Sequence, residues 1–169
     1  MKKQVLQFTL FLLLLLLSVS CSPTKSMPKP ISDDDIFKEF TGEYPLADGL
    51  GLITTDLSIK SDKTFHFEVF TDSGGHGEQN GSTEMNNGKI QLLVSSERLP
   101  LVPSVLIPVK WGEREYLIDG EKIEDFCLSV KNGNEPRTKV YGNFHLKDGD
   151  WEVSVTGQPT SPDGQAICP

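Results

Sequence analysis

Apolar and polar residues alternate along much of the chain, and a two-residue period predicts β-strands. Thr64 to Thr71 is the clearest run: Phe65, Phe67 and Val69 fall on one face, His66 and Glu68 on the other. Leu52 to Lys60 holds Leu57 and Ile59 in the same alternation, and Ser61-Asp62-Lys63 joins the two runs as a hairpin. Asp72-Ser73-Gly74-Gly75-His76-Gly77 reads as a flexible loop. Gly81 to Met85 is a weaker strand, and Asn86-Asn87-Gly88 turns the chain because Asn and Gly accept positive φ. Lys89 to Ser95 returns from that turn. Pro100, Pro103 and Pro108 limit strand pairing around them. Val105 to Trp111 and Arg114 to Ile118 are two further strands, broken at Gly112-Glu113. Val140 to Leu146 and Trp151 to Thr156 form a last hairpin around Lys147-Asp148-Gly149-Asp150, and the tail from Gly157 to Pro169 is loop-like.

The helical period occurs twice. Ser32 caps a short helix through Phe37 and Phe40, with Asp33, Asp34 and Asp35 at its positive end. Ile123, Phe126, Cys127 and Val130 recur at i, i+3, i+4 and i+7, an apolar stripe that Asp119 can cap and Gly133 can end. Such a helix suits a lid on a sheet. Six to nine short strands, mostly hairpin-linked, predict a mainly β fold. The expectation is an antiparallel barrel or strongly bent sheet with one or two short helices.

The first twenty residues break the pattern. Lys2 and Lys3 precede a leucine-rich run from Phe8 to Leu17, then the small residues Ser18-Val19-Ser20, then Cys21. That order is a signal for export. The run is shorter than the ~20 residues a permanent span needs. An ordinary signal peptidase would accept Ser18 and Ser20. Leu17-Ser18-Val19-Ser20-Cys21 also resembles a bacterial lipobox, in which cleavage leaves the cysteine N-terminal and acylated, although Ser18 stands where that pattern has a leucine. The expected organisation is a signal peptide over 1–20, a lipidated, proline-rich tether over 21–34, and a single β-rich domain over 35–169. Ser22 after the cysteine carries no aspartate retention signal, which favours the outer membrane of a two-membrane cell envelope.

Composition narrows the partners. Loss of residues 1–20 removes two lysines and leaves 14 basic against 24 acidic side chains, a formal charge of −10. A surface of that sign excludes nucleic acid, which is held through clustered Lys and Arg. If Cys21 carries lipid, Cys127 and Cys168 remain as an even pair. In an exported protein they can form a disulfide; two free thiols, one of them in a helix, are the alternative.

With the strands placed, the wording becomes familiar. Gly42-Glu43-Tyr44, Asp48-Gly49-Leu50-Gly51, Asp62-Lys63-Thr64-Phe65 and Asn87-Gly88-Lys89-Ile90 resemble the opening hairpins of small lipocalin-like barrel lipoproteins. The stretch from Val109 to Ile118, then Asp125-Phe126-Cys127, Asn132 to Arg137, and Gly142 to Asp150, resembles a group of uncharacterised bacterial proteins. The resemblance covers most of residues 40–160. It implies a lipocalin-like fold and no mechanism.

No catalytic constellation is present in the sequence. His66, His76 and His145 are far apart and share no metal motif, so His66 and His145 are read as solvent-facing and no metal is expected. Glu113 with Glu115, and Asp148 with Asp150, flank turns and are read as solvated. Cys127 sits on the apolar stripe. No nucleophile elbow or phosphate loop occurs, and no cofactor is implied. Trp111, Arg114, Tyr116, Glu135 and Arg137 are the candidates for ligand binding, because a planar guanidinium can clamp a carboxylate. The alternative is that an acid such as Glu135 pairs with an arginine to lock the helix to the barrel. The expected function is a membrane-anchored, non-enzymatic binding protein for a small apolar or acidic ligand or an envelope partner. A structural or interaction module, such as an inhibitor or assembly factor, is the alternative.

Overall fold

The computed structural model describes residues 30–47, 52–133, 144–149 and 155–168. Cys21, Glu135, Arg137, the signal and tether residues before Pro30, and residues 151–154 of the strand expected over Trp151 to Thr156 lie outside them.

Eight antiparallel strands follow one another in sequence order: β1 (Gly42–Ala47), β2 (Ile53–Ile59), β3 (Thr64–Thr71), β4 (His76–Asn86), β5 (Lys89–Leu93), β6 (Val105–Trp111), β7 (Arg114–Asp119) and β8 (Phe144–Leu146). Each strand pairs with the next, a meander with tight hairpins early in the chain and a long connection carrying α2 between β7 and β8. β1 packs against β8, so the sheet curls into a nearly closed barrel, the lipocalin-like architecture. Two short helices accompany it, α1 (Asp33–Glu39) and α2 (Ile123–Lys131).

The inward positions are those the alternation picks out. Tyr44, Leu57, Ile59, Phe65, Phe67, Ile90, Leu92, Leu106 and Leu117 form one buried cluster. α1 plugs one end of it with Ile36, Phe37 and Phe40. Ser32 caps α1 by accepting from the Asp35 amide at 3.2 Å. The plug is fastened to two hairpin turns. Asp33 accepts from the Gly88 amide at 3.1 Å, and Lys63 pairs with Asp34 at 3.4 Å while lying over the Phe37 ring.

α2 lies on the outside. Phe126 packs on Val109, Trp111, Tyr116, Ile118 and Leu146, the outward side chains of β6, β7 and β8. Those strands are therefore apolar on both faces, which is why Val105 to Trp111 and Tyr116 to Ile118 read as continuous hydrophobic runs. Asp119 caps a 3-10 turn (Gly120–Lys122) that leads into α2, accepting from the Glu121 amide at 3.0 Å.

Several expectations need correction. The segment 72–77 is not a loop throughout: His76 and Gly77 open β4, and the turn is closed by the Gly75 amide donating to Thr71 Oγ1 at 2.9 Å. His145 is buried rather than solvent-facing, because β8 turns it into the barrel opposite Leu117. Glu115 is half-buried and bonded rather than free in water. The described part of the tail, 157–168, is loop and turn as expected, pinned by isolated bridges. Thr160 exchanges two backbone hydrogen bonds with Lys110, both 2.8 Å, beyond the point where β5 stops pairing with β6.

Candidate functional site

The base of the barrel is ionic. Glu39, in the last turn of α1, pairs with Lys110 of β6. Lys147 donates to Glu115 of β7 at 2.7 Å and to the Glu39 backbone carbonyl. Two cations thus sit at the negative end of the plug helix, where the unpaired carbonyls face outward. Each lysine satisfies one acid, so the cluster joins α1, β6, β7 and the chain after β8. Its groups are mutually neutralised, and nothing in the arrangement calls for a substrate.

The two buried polar side chains nearest the closure of the barrel are Tyr44 and His145. Tyr44 donates its hydroxyl to the Phe40 carbonyl at 2.9 Å. Burial, with Glu115, Asp148 and Glu39 nearby, pushes the phenol's pKa far up, so it is a neutral donor at every physiological pH. His145 bonds to the Tyr44 backbone, yet burial dominates and lowers its pKa to about 4. It is a neutral imidazole, bridging the two strands that meet at the closure.

A concave surface opens on the opposite side of the sheet from this interior. Cys127 on α2 and Cys168 in the tail are joined by a disulfide, with Cα atoms 5.1 Å apart. The bridge, the Thr160–Lys110 pairing and a bond from Trp111 Nε1 to the Gly157 carbonyl at 2.9 Å hold the tail beside α2. Between them runs a groove of about 650 Å³, lined by Ile123, Cys127, Leu128, Val130 and Ile167. Glu124, Lys131 and Gln158 form its polar rim. Leu128 is 52% exposed within it, the most exposed apolar side chain of α2, whose Phe126 alone among the stripe residues is fully buried.

Trp111, Arg114 and Tyr116 do not line this groove. Trp111, Tyr116 and Phe126 make a three-ring cluster with centroids 6.1 to 6.5 Å apart, beneath α2. Arg114 is 4% exposed and its guanidinium donates to the Tyr116 hydroxyl at 3.4 Å. The structure brings these three together as packing between helix and sheet. The groove that lies over them was not visible in the sequence as a site. Three of the stripe residues, Ile123, Cys127 and Val130, line it, and Leu128 beside them widens the stripe beyond what the sheet covers.

No protein-family model, curated protein or solved structure matches this chain.

Proposed function

We propose that the chain is an exported lipoprotein, anchored through acylated Cys21, that binds a small apolar ligand without catalysis on the outer face of its barrel. The observation that carries the binding reading is the groove between α2 and the tail. Its volume of about 650 Å³ suits a small molecule. Its floor is aliphatic and its rim polar, the pattern of an exposed patch with a use. The inward positions of the described strands are taken up by aromatic and branched side chains, so the outside offers the better seat.

Two experiments test the two halves. Titration of an apolar fluorescent probe should saturate at one site. Leu128→Glu, on an exposed face of α2, should weaken it by at least about tenfold, the effect of a charge in an apolar seat. Unchanged affinity would defeat the groove. Separately, Cys21→Ser should move the protein from the membrane to the soluble envelope fraction; unchanged fractionation would end the lipid reading while leaving export intact.

A second reading, an interaction module, has its own observation. Leu52, Phe70 and Leu101 are each more than two-fifths exposed, and Phe70 stacks on His76 at 4.8 Å. A photo-crosslinker at Phe70 that captures one reproducible envelope protein in the native host would favour this reading over the ligand.

A further inference from the structure

We propose a divalent transition-metal site on the outer face of the sheet, held by His66, Glu68 and Glu78. It is separate from the groove beside α2 and does not depend on it.

The argument starts from register. Asp56 on β2, Glu68 on β3 and Glu78 on β4 are directly paired, so three carboxylates occupy one rung of the sheet. Like charges placed directly opposite on adjacent strands repel. The next rung carries Glu43, Ser58, His66 and Asn80. Neither rung contains a lysine or an arginine. The neighbours of the acids in register therefore supply no fixed cation, and one imidazole stands where a counter-charge is needed.

The donor atoms converge. One atom from each of His66, Glu68 and Glu78 lies within 4.8 Å of the other two. A metal bound through nitrogen and oxygen at about 2.1 Å has its ligand atoms about 3.4 Å apart in a tetrahedron. His66 Nε2 and Glu68 Oε1, at 3.1 Å, already have that spacing. Glu78 is on the exposed side, where a rotamer change can close the remainder.

The imidazole is also set in the correct orientation. His66 Nδ1 lies 2.8 Å from the Asn80 side-chain oxygen, a contact that an Nδ1–H satisfies. The lone pair of the neutral ring is then on Nε2, facing a carboxylate oxygen. Two acceptors cannot hold that distance alone; a proton or a metal ion must lie between them. A hydrogen-bond acceptor on the far nitrogen is the usual companion of a metal-bound histidine. One nitrogen with two or three carboxylates suits zinc, copper or nickel. Calcium and magnesium, which prefer all-oxygen cages, fit it less well.

The test is calorimetric titration of the full chain in detergent, with Zn²⁺ and, in parallel, Ca²⁺. Zn²⁺ should saturate at one ion per chain and raise the unfolding temperature. His66→Gln and Glu78→Gln should each weaken Zn²⁺ by about tenfold or more, and Asn80→Ala by about tenfold through loss of ring orientation. Unfolding curves without metal check that each variant is folded; should His66→Gln not fold, Asn80→Ala decides. Zn²⁺ bound by His66→Gln as by the wild type would overturn the site. So would Ca²⁺ bound as tightly as Zn²⁺, which would mark a diffuse acidic patch.

Discussion

The Tyr44 hydroxyl donates to the Phe40 carbonyl across 2.9 Å, four residues back in the chain. Phe40 is the C-terminal cap of α1, and Tyr44 is the first inward aromatic of β1. Between them Gly42 turns the chain at φ +145°, and a side chain there would meet the aliphatic part of Lys147 at 3.0 Å. The Gly42-Glu43-Tyr44 stretch is thus a joint: the glycine lets the plug helix turn sharply into the sheet, and the tyrosine ties the helix end to the strand it leads into. Tyr44→Phe keeps the packing and removes only the donor. It should cost about 1–2 kcal/mol, because the Phe40 carbonyl is left buried without its partner. Urea unfolding measures this directly, and an unchanged midpoint would show that another donor takes over.

The tail is fastened by three separate means, and the disulfide is the one that can be removed chemically. Cys127 and Cys168 are 41 residues apart. Closing a loop of that size stabilises by roughly 3–4 kcal/mol in the chain-entropy model. Cys168→Ser should cost about that much in denaturant. Thr160 should remain paired to Lys110 in the variant, since those backbone bonds do not depend on the bridge. Amide exchange at Thr160 and Lys110 would show it. Binding of an apolar probe should weaken more than stability predicts, because one wall of the groove is freed.

Much of the architecture could be read from periodicity because this fold is local. Each strand pairs with its sequence neighbour, so the period, the turn residues at Asp62-Lys63 and Asn87-Gly88, and the apolar stripe of α2 specify most of the pairing. The disulfide could be read as an option from cysteine parity. What could not be read depends on register and closure. His145 looks like the outward partner of its neighbours until β8 is paired with β7 and placed beside β1. Glu115 looks like a turn residue until Lys147 reaches it. His66 and Glu68 share a face of β3, but Glu78 is ten residues beyond Glu68 across a hairpin and meets them only through the β3–β4 register. Trp111, Arg114 and Tyr116 stood out because large polar aromatics and arginine are chemically versatile; burial beneath α2 gives them a packing role that composition alone does not reveal.

Gly81 should tolerate no side chain. A methyl group there would lie 2.5 Å from the Phe65 ring and overlap the Leu93 carbonyl. Phe65 is the residue opposite Gly81 in the β3–β4 pair, and its ring lies across the space the glycine leaves. Overpacking of a buried site costs about 1–3 kcal/mol. Gly81→Ala should lie at or above the top of that range, since one of the clashing atoms is backbone. Gly88→Ala, in open space but at φ +72°, should cost less. Thermal unfolding of the two variants side by side ranks them; the reverse order would show that strand β4 shifts to make room.

His145 should give the fold a defined sensitivity to acid. Its pKa is lowered from the usual 6.5 to about 4 by burial between β7 and β1. Above pH 6.5 the ring is neutral in both folded and unfolded chains and contributes no pH dependence. Between 6.5 and about 4 the unfolded chain takes up a proton that the folded chain refuses, so stability falls as pH falls. A shift of that size corresponds to on the order of 3 kcal/mol by the lower end of the window. Asp62 and Asp163, held below the usual carboxylate range by bonds to Thr64 and Ser161, respond only at more acid pH and leave this window to the histidine. Asp119, whose carboxyl burial pushes upward, works in the opposite direction near the lower edge of the window. Urea midpoints measured from pH 6 to pH 4, below the range in which His66, its pKa raised by bonds to Asn80 and Glu68, changes charge, should therefore decline, and the decline should flatten in His145→Gln even though that variant starts from lower stability. An equal slope in both proteins would mean that the ring is hydrated or charged inside the barrel, and that the closure between β1 and β8 admits water.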